Sequence, residues 1–396
     1  MERIDYDCGA DLVGITVTLD VMPRACAITA AFQKRGVPVV AGGIHVTCSP
    51  GECRPHFDAI CVGPAERVWT RILRDAASGG LQGVYHDTAD FRGAEIVAPK
   101  YSSIERKKYL YTNIVLTSRG CPNRCSFCYN SCQHRLYIRR PIPDVLREIE
   151  SLGTRHILFI DDNFIGDPTY TRGLLQAFRE LRLTWSAAVT TRILDCPDLL
   201  DLMAATGCQS LFIGFESINR ESLASVHKDN QVARYEALVE AIHSRGIMIN
   251  ASMVFGLDGD GKDTFRRTLD WLVRMRVETL TSHILTPYPG TALHRQMHAE
   301  GRITDDNLAR YNTANVVFTP IGMTAAELYK GYRWMYRQFY SFRNIARRFP
   351  ENKAQRRSYL LFNLLYRKFG GLTSLITRVV PMGVIGRFAA RISYKV

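Results

Sequence analysis

Four thiols stand close together at Cys121, Cys125, Cys128 and Cys132, inside "TSRGCPNRCSFCYNSCQH", Thr117 to His134. Thiolates so placed take soft metal, and their spacing limits which. Structural zinc usually draws on two CxxC or CxxC/HxxxH knuckles parted by a longer loop, and that loop is missing here. A bacterial ferredoxin run, C-x2-C-x2-C-x3-C-P, saturates an iron–sulfur cluster with four cysteines. This chain reads C-x3-C-x2-C-x3-C-Q, so the first gap is longer and the proline is gone. In the remaining arrangement Cys121, Cys125 and Cys128 hold three irons of a [4Fe–4S] cube. The fourth iron then stays open for a substrate-like ligand, much as a catalytic zinc keeps one open position. The choice separates an enzyme from a four-cysteine iron–sulfur electron carrier or a degenerate cofactor-binding protein.

The rest of the chain suits metal chemistry in a reducing compartment. Its 396 residues allow two or three folded units, and 46% apolar with 22% charged residues fits a globular protein. The first thirty residues carry Glu2, Asp5, Asp7, Asp11 and Asp20, unlike a secretory signal. The longest apolar stretch, Leu372 to Ala390, is interrupted by Arg378, Pro381 and Arg387, which spoils it as a membrane span. A cytoplasmic location is expected, where eleven cysteines argue for metal over disulfides. The net charge of +13 sits entirely at one end. Residues 321–396 hold fifteen of the 51 Lys/Arg and two of the 38 Asp/Glu, leaving 36 of each sign elsewhere.

The elements that must position the thiols follow from periodicity. "ADLVGITVT", "VPVVAGGIHVT" and "FDAICVG" read as buried strands, with "RACAITAAFQKRG" and "AERVWTRILRDAASGG" as helices between and after them. That is βαβ grammar, and parallel sheets present ligand sites at the C-terminal strand ends. Leu81 to Lys108 shows no period and reads as linker and surface. Strands then follow at Ile114–Ser118, His156–Asp161, Trp185–Thr190, Ser210–Phe215, Ile249–Phe255 and Thr279–Leu285, with helical segments between. Six such strands predict an open or partial barrel, with chemistry at its C-terminal rim. The expected class is α/β: a partial Rossmann-like module over 1–85, a linker over 86–108, a (β/α)6 core over 109–322 and a basic helical region over 323–396.

CxxxCxxC with Phe127 before its last cysteine resembles the signature of the radical S-adenosylmethionine (radical SAM) superfamily, and the likeness covers roughly Tyr109 to Pro320. The resemblance implies that the open iron chelates the amino and carboxylate groups of S-adenosylmethionine. An electron, from an external donor such as ferredoxin or flavodoxin, then cleaves the sulfonium bond and yields a hydrogen-abstracting 5′-deoxyadenosyl radical. It also implies roles for individual residues. Asp161, Asp162 and Asn163 in "FIDDNFIGD" fall where the superfamily meets the cofactor's amino group, and Arg192 could meet its carboxylate. Glu216, ending "LFIGFES", would accept from ribose hydroxyls, and Phe255 and Gly256 in "SMVFGLDGD" would offer backbone near the adenine. "LTPYPGTAL" is similar, through Pro287, Pro289, Gly290 and Thr291, to the PxPGT segment of the cobalamin-associated branch.

The N-terminal unit ahead of such a core resembles the B12-binding-domain subclass, through "ADLVGITVT", "VVAGGIHVT", "SPGE" and "DAICVGPAE". In that family such loops, here with Thr16, Thr18, Gly42, Gly43, His45 and Thr47, line the corrin and its nucleotide tail. The usual acidic "GEGE" reads "GPAE", which keeps Glu66 and puts Pro64 for a carboxylate. No D-x-H-x-x-G motif occurs, and the module reads as truncated, starting near its second strand. Cobalamin is thus as readily absent as bound. With it, the resemblance implies methylation at an unactivated carbon or phosphorus; relatives without methylation perform cyclisation or oxidative rearrangement on tetrapyrroles, lipids and secondary metabolites. The basic aromatic tail suits a lipid-like substrate or peripheral contact with the inner face of a membrane. A nucleic-acid partner is not expected.

Overall fold

The computed structural model describes residues 4–87, 91–105, 109, 111–132, 137–228 and 230–364. The chain forms two compact units. The first takes in residues up to 97, then 123–132 and 285–319; the second takes the rest of the described chain. This division is discontinuous, unlike the sequential one expected from periodicity.

In the first unit, β1 (Val13–Thr16), β2 (Val39–Gly42), β3 (Ala59–Val62) and β4 (Val84–His86) pair in parallel, in that order. Helix α1 (Met22–Gln33) follows β1, short α2 (Ile44–Cys48) and α3 (Pro50–Cys53) follow β2, and α4 (Trp69–Ala77) follows β3. Alternation along the strands feeds two cores. Val39, Ala41 and Ile60 pack with Met22, Ala25 and Phe32 of α1, while Val40, Ala59 and Cys61 pack with Val68 and Ile72 near α4. Strand β4 corrects the reading of 81–108 as linker. Only its Tyr85 is buried, with Val84 and His86 exposed, so three residues gave no periodic signal.

In the second unit, β5 (Ile114–Val115) starts a sheet and a short antiparallel pair follows, β6 (Ser118–Arg119) with β7 (Ile138–Arg139). After β7 come α5 (Ile142–Ser151), β8 (His156–Phe159), α6 (Pro168–Phe178), β9 (Thr184–Val189), α7 (Pro197–Ala205) and β10 (Cys208–Glu216). Then follow α8 (Arg220–Ala224), α9 (Tyr235–His243), β11 (Met248–Phe255), α10 (Thr264–Arg274) and β12 (Thr279–Ile284). The six-stranded sheet runs β12-β11-β10-β9-β8-β5, all parallel, as a (β/α)6 core requires. Along β9, Trp185, Ala187 and Val189 are buried, and Trp185 packs on Phe159, Phe164 and Phe178. The alternate face carries half-exposed Thr184, Ser186 and Ala188, and the Ser186 hydroxyl bonds Ser210 of β10 at 2.9 Å. One face of β9 is therefore a greasy floor for helices and the other a small lining.

The chain returns to the first unit for α11 (Ala292–Ala299), then to the second for α12 (Ala325–Phe339) and α13 (Phe342–Arg347), with helix again over 356–364. Thr324 and Glu327 cap α12 reciprocally. Tyr336 places its hydroxyl between the N–H and C=O of Ser282, and Tyr340 does the same at Leu280, both on β12. Buried Arg348 donates to the carbonyls of Val277, Glu278 and Phe339 and to Asn363 Oδ1, its guanidinium 3.5 Å from the Phe339 ring centre.

Candidate functional site

The predicted strand Ile114–Ser118 is broken, and the break aims the chain at the first cysteine. β5 stops at Val115, and Asp161, just beyond β8, takes over the next donors. Its carboxylate accepts from Thr117 N (3.1 Å), Thr117 Oγ1 (2.7 Å), Ser118 N (2.5 Å) and Ser118 Oγ (2.6 Å). Buried Arg140, paired with Glu148, donates to Leu116 O and, through its own N–H, to Thr117 O. Burial raises the Asp161 carboxyl and these hydrogen bonds oppose the rise. Asp161 thus ties down the strand exit through Oδ1, with Thr117 N at 3.2 Å on Oδ2, at the place where the resemblance implied a cofactor contact. Its neighbours are less engaged. Asp162 is exposed, its carboxylate accepting from Gly120 N at 3.2 Å, and buried Asn163 leaves Oδ1 without a partner among the described residues. An orphaned buried acceptor fits a site with a donor still to come.

Cys121 follows β6 after one glycine and is half-buried, Cys125 is buried, and Phe127 and Cys128 are half-buried. Cys128 N donates to Cys125 O at 3.1 Å, and the chain turns again over Tyr129–Ser131. No disulfide engages any of them. Among the described residues no three His, Cys, Asp or Glu stand grouped as ligands of one ion. A [4Fe–4S] cube asks instead for soft donors along one loop, each holding its own iron, and that donor set is present. Cys132 stands beside Cys48, and the two thiols interact so that Cys132 is depressed while Cys48 is raised.

Glu216 ends β10 with φ +63°, a left-handed conformation rare for such a residue, beyond a break in register with β11. It is buried, with Oε1 3.0 Å from Lys228 Nζ and Oε2 3.5 Å from Ser252 Oγ. His283 of β12 is lowered by burial and pulled back upward by the Glu216 charge. Lys228 and His283 went unnoticed in the sequence; His283 sits at a half-exposed position in the alternation of β12, the one signal available. Phe255 is buried against Phe265 with centroids 4.8 Å apart. Gly256 N is already taken, donating to Asp260 Oδ2 at 2.9 Å, so only its carbonyl remains to offer. Asp260 also accepts from Leu257 N and Ser222 Oγ, and burial pushes it up to about 6. Arg192 is exposed and lines a shallow cleft with Thr191 and Asp195, apart from the Glu216 cluster in the contacts it makes.

In the first unit the predicted cobalamin residues gather at one sheet edge. Thr16 and Thr18 leave β1, Gly42 to Thr47 leave β2, and Glu66 follows β3. The loops are tied together: Val17 N donates to Gly42 O, His45 N to Val17 O, and Gly63 N to Thr47 Oγ1. Gly43, at φ +100°, lies so near the Val17 backbone that a Cβ would sit 2.9 Å from its N and O. His45 is fully buried with neither ring nitrogen hydrogen-bonded among the described residues; Glu52 Oε2 stands 3.8 Å from Nε2. Burial lowers its pKa to about 4. A neutral imidazole with two idle nitrogens fits a loop set that receives a polar ligand. The same unit draws in chain far away in sequence. Cys48 Sγ lies 3.9 Å from Tyr129 O, the Tyr129 and Tyr288 rings stack at 4.5 Å, and Leu293 N donates to Ser126 O. Pro287, Pro289, Gly290 and Thr291 thus turn beside the cysteine loop; Gly290 packs on the Cys48 backbone, and Thr291 caps α11.

The sequence profile of the Radical SAM superfamily matches residues 115–272, and that of a domain of unknown function (DUF4070) matches 291–394. Bacteriochlorophyllide d C-12(1)-methyltransferase of Chlorobaculum tepidum is 30% identical over 344 residues, 84% of this chain and 75% of that protein. Bacteriochlorophyllide d C-8(2)-methyltransferase of the same organism is 27% identical over 337 residues, 80% and 74% of the two chains. Among solved structures, the radical S-adenosylmethionine methyltransferase TsrM from Kitasatospora setae, with cobalamin and a [4Fe–4S] cluster bound, matches with TM-score 0.61 at 17% identity, over 97% of this chain and 89% of TsrM. The chain belongs to the radical SAM superfamily, and it shares its fold with TsrM. It is a radical SAM enzyme, and that family implies a [4Fe–4S] cluster and S-adenosylmethionine.

Proposed function

We propose that this chain is a cobalamin-associated radical SAM methyltransferase acting on a tetrapyrrole or a similarly lipid-like ring system. The observation that carries this reading is the company the cysteine loop keeps. Two cysteines of the triplet share a compact unit with the Gly42–Thr47 loop, and Cys48 Sγ lies 3.9 Å from the carbonyl of Tyr129, the residue after Cys128. A methyl relay needs its two cofactors to be neighbours, and the contact between Cys48 and Tyr129 supports that reading. Two relatives named as bacteriochlorophyllide methyltransferases support the tetrapyrrole class.

Cys121, Cys125 and Cys128 would hold the cluster beside Phe127, and the residues fit it. Asp162 and Asn163 would meet the amino end of S-adenosylmethionine, Glu216 its ribose, and the Gly256 carbonyl its adenine, with Phe255 backing that strand end. Arg192 would reach a carboxylate only by swinging from its cleft. Thr16, Thr18, Gly42, Gly43, His45, Thr47 and Glu66 would line the corrin. When bound, these groups supply one-electron cleavage of a sulfonium and relay of a methyl group. What the chain itself does is hold Cys121 in place through Asp161, pair Glu216 with Lys228, and leave Asn163 Oδ1 an acceptor and the His45 ring nitrogens with hydrogen bonds still to make. An external ferredoxin or flavodoxin supplies the electron, and the basic C-terminal region makes peripheral contact with the inner face of the membrane.

Anaerobic reconstitution with iron and sulfide, with and without cobalamin, followed by product analysis on a chlorin substrate, tests the reading. The expected result is a product heavier by one methylene, formed only with cobalamin, S-adenosylmethionine and reductant together. Turnover indifferent to cobalamin would favour cyclisation or oxidation. Four iron ligands on the protein, with no spectral response to S-adenosylmethionine, would favour the electron carrier.

A further inference from the structure

Helix α12 and the N-terminal part of α10 enclose a groove of about 900 Å³ that the reaction above does not use. Gly331 lets the two helices approach, since a Cβ there would fall 2.2 Å from the Phe265 ring. The groove is lined by five cations, Lys262, Arg266, Lys330, Arg333 and Arg337, and by one acid, Glu327. Glu327 is already committed: it caps Thr324 and pairs with Lys262 at 2.7 Å. Arg266 has Asp270 at 4.0 Å across an exposed turn. Lys330, Arg333 and Arg337 have no acidic partner among the described residues, and their spacing of three and four puts them on one helix face. Arg333 lies over the Tyr329 ring at 5.8 Å, and Trp334 completes the aromatic wall.

Apolar side chains of the same helical region are exposed too. Tyr329 is 41% exposed, Ile321, just before α12, is 66%, and Phe342, just after it, is 62%. Leu360 and Leu364 are exposed as well. Residues 365–396 add six Lys/Arg, no acid, and a largely apolar remainder. That segment repels the groove electrostatically, so it is not the occupant that neutralises it. The partner must bring dense negative charge and also accept apolar and indole-like groups beside it. An acidic protein answers the first demand and leaves the second. A bilayer containing anionic phospholipid answers both.

The geometry points to the α10–α12 groove as a headgroup site that seats this enzyme on anionic membrane, with Lys330, Arg333 and Arg337 meeting phosphate and Tyr329, Trp334, Ile321 and Phe342 entering the interface. This rests on the peripheral-contact reading of the C-terminal region and gives it a place. The test is flotation of the full-length holoprotein with vesicles of phosphatidylcholine alone or mixed with phosphatidylglycerol. Three chains are compared: unaltered, Lys330→Glu/Arg333→Glu/Arg337→Glu, and one ending after Leu364. Each cation near an anionic surface is worth roughly fivefold in partitioning. The triple reversal is therefore expected to weaken binding about a hundredfold or more, with thermal midpoint and cluster content unchanged. The chain ending after Leu364 should keep a salt-sensitive preference for the anionic vesicles. Equal flotation of the unaltered and triple-reversed chains would overturn the groove and leave the peripheral reading to residues 365–396. No flotation of the unaltered chain would overturn both, and binding to flavodoxin that is lost in the triple variant would reassign the groove to a protein partner.

Discussion

Replacing Asp161 separates a strand lock from a cofactor contact. In Asp161→Ala, Thr117 N and Ser118 N lose their shared acceptor while staying buried, and two hydroxyls lose theirs. Each stranded buried N–H costs about 1–3 kcal/mol, and the hydroxyls can rotate toward other acceptors. Against this, a carboxylate whose burial is unfavourable disappears, as its raised pKa attests. The balance is a loss of about 3–5 kcal/mol, the usual toll of unmaking a buried charged network. Because the freed residues lead directly through Arg119 and Gly120 to Cys121, the loss should appear first as poor cluster assembly. Iron and sulfide per chain after anaerobic reconstitution, with urea unfolding of the apoprotein, measure both effects. Asp162→Ala removes one exposed hydrogen bond, worth about 0.5–1.5 kcal/mol, and should load iron normally while binding S-adenosylmethionine less well. An Asp161→Ala chain with full iron content and unchanged urea midpoint would refute the lock.

Cys132→Ala should retain the cluster signal in electron paramagnetic resonance after reduction, whereas Cys128→Ala should abolish it; equal loss in both would make Cys132 a ligand. Glu216→Gln removes the counter-charge of Lys228, and a roughly tenfold weaker S-adenosylmethionine affinity with normal iron content is expected by equilibrium binding. Arg348→Met keeps the bulk and drops four buried hydrogen bonds, so apoprotein stability should fall by about 3–5 kcal/mol with cluster content per folded chain unchanged. Acid stability follows from three buried groups. His45 and His156 are both lowered to about 4, so the folded chain binds fewer protons than the unfolded one between pH 4 and 6.5, and stability drains as pH falls through that window. Asp260, raised to about 6, acts oppositely and gains as pH falls from about 6 toward 4. At about 3 kcal/mol each, the two histidines outweigh Asp260 within this trio, and His45→Gln should flatten the fall of thermal midpoint as pH drops.

The six-stranded core was legible because each of its long strands is an apolar run closed by small or polar residues, as in "SMVFGLDGD" and "LFIGFES". The thiol triplet was legible because nothing else explains that spacing cheaply. Other features depend on contacts that no local window contains. Ile114–Ser118 reads as one strand, yet Asp161 and Arg140 claim its last peptide groups and split it. Asp161, Asp162 and Asn163 look equivalent in sequence, while burial gives them three different tasks. Gly256 carries a free N–H on paper, and Asp260, four residues on, has already taken it. The joining of residues 123–132 and 285–319 to the N-terminal sheet was invisible, because its ties, such as Tyr129 on Tyr288, bridge more than a hundred residues.

The tyrosine hydroxyls of α12 have a bearing on shortened forms of this chain. A sheet that opens rather than closing on itself leaves its last strand with a row of unanswered peptide groups, the template on which foreign strands add. Tyr336 and Tyr340 answer that row at Ser282 and Leu280, two phenols doing the job of a seventh strand. A chain cut before Ala325 would therefore declare itself by sticking to its own copies, long before any shortfall in turnover could be read. Removal of the cationic end has to begin beyond Leu364 if it is to report on anything but this exposed border.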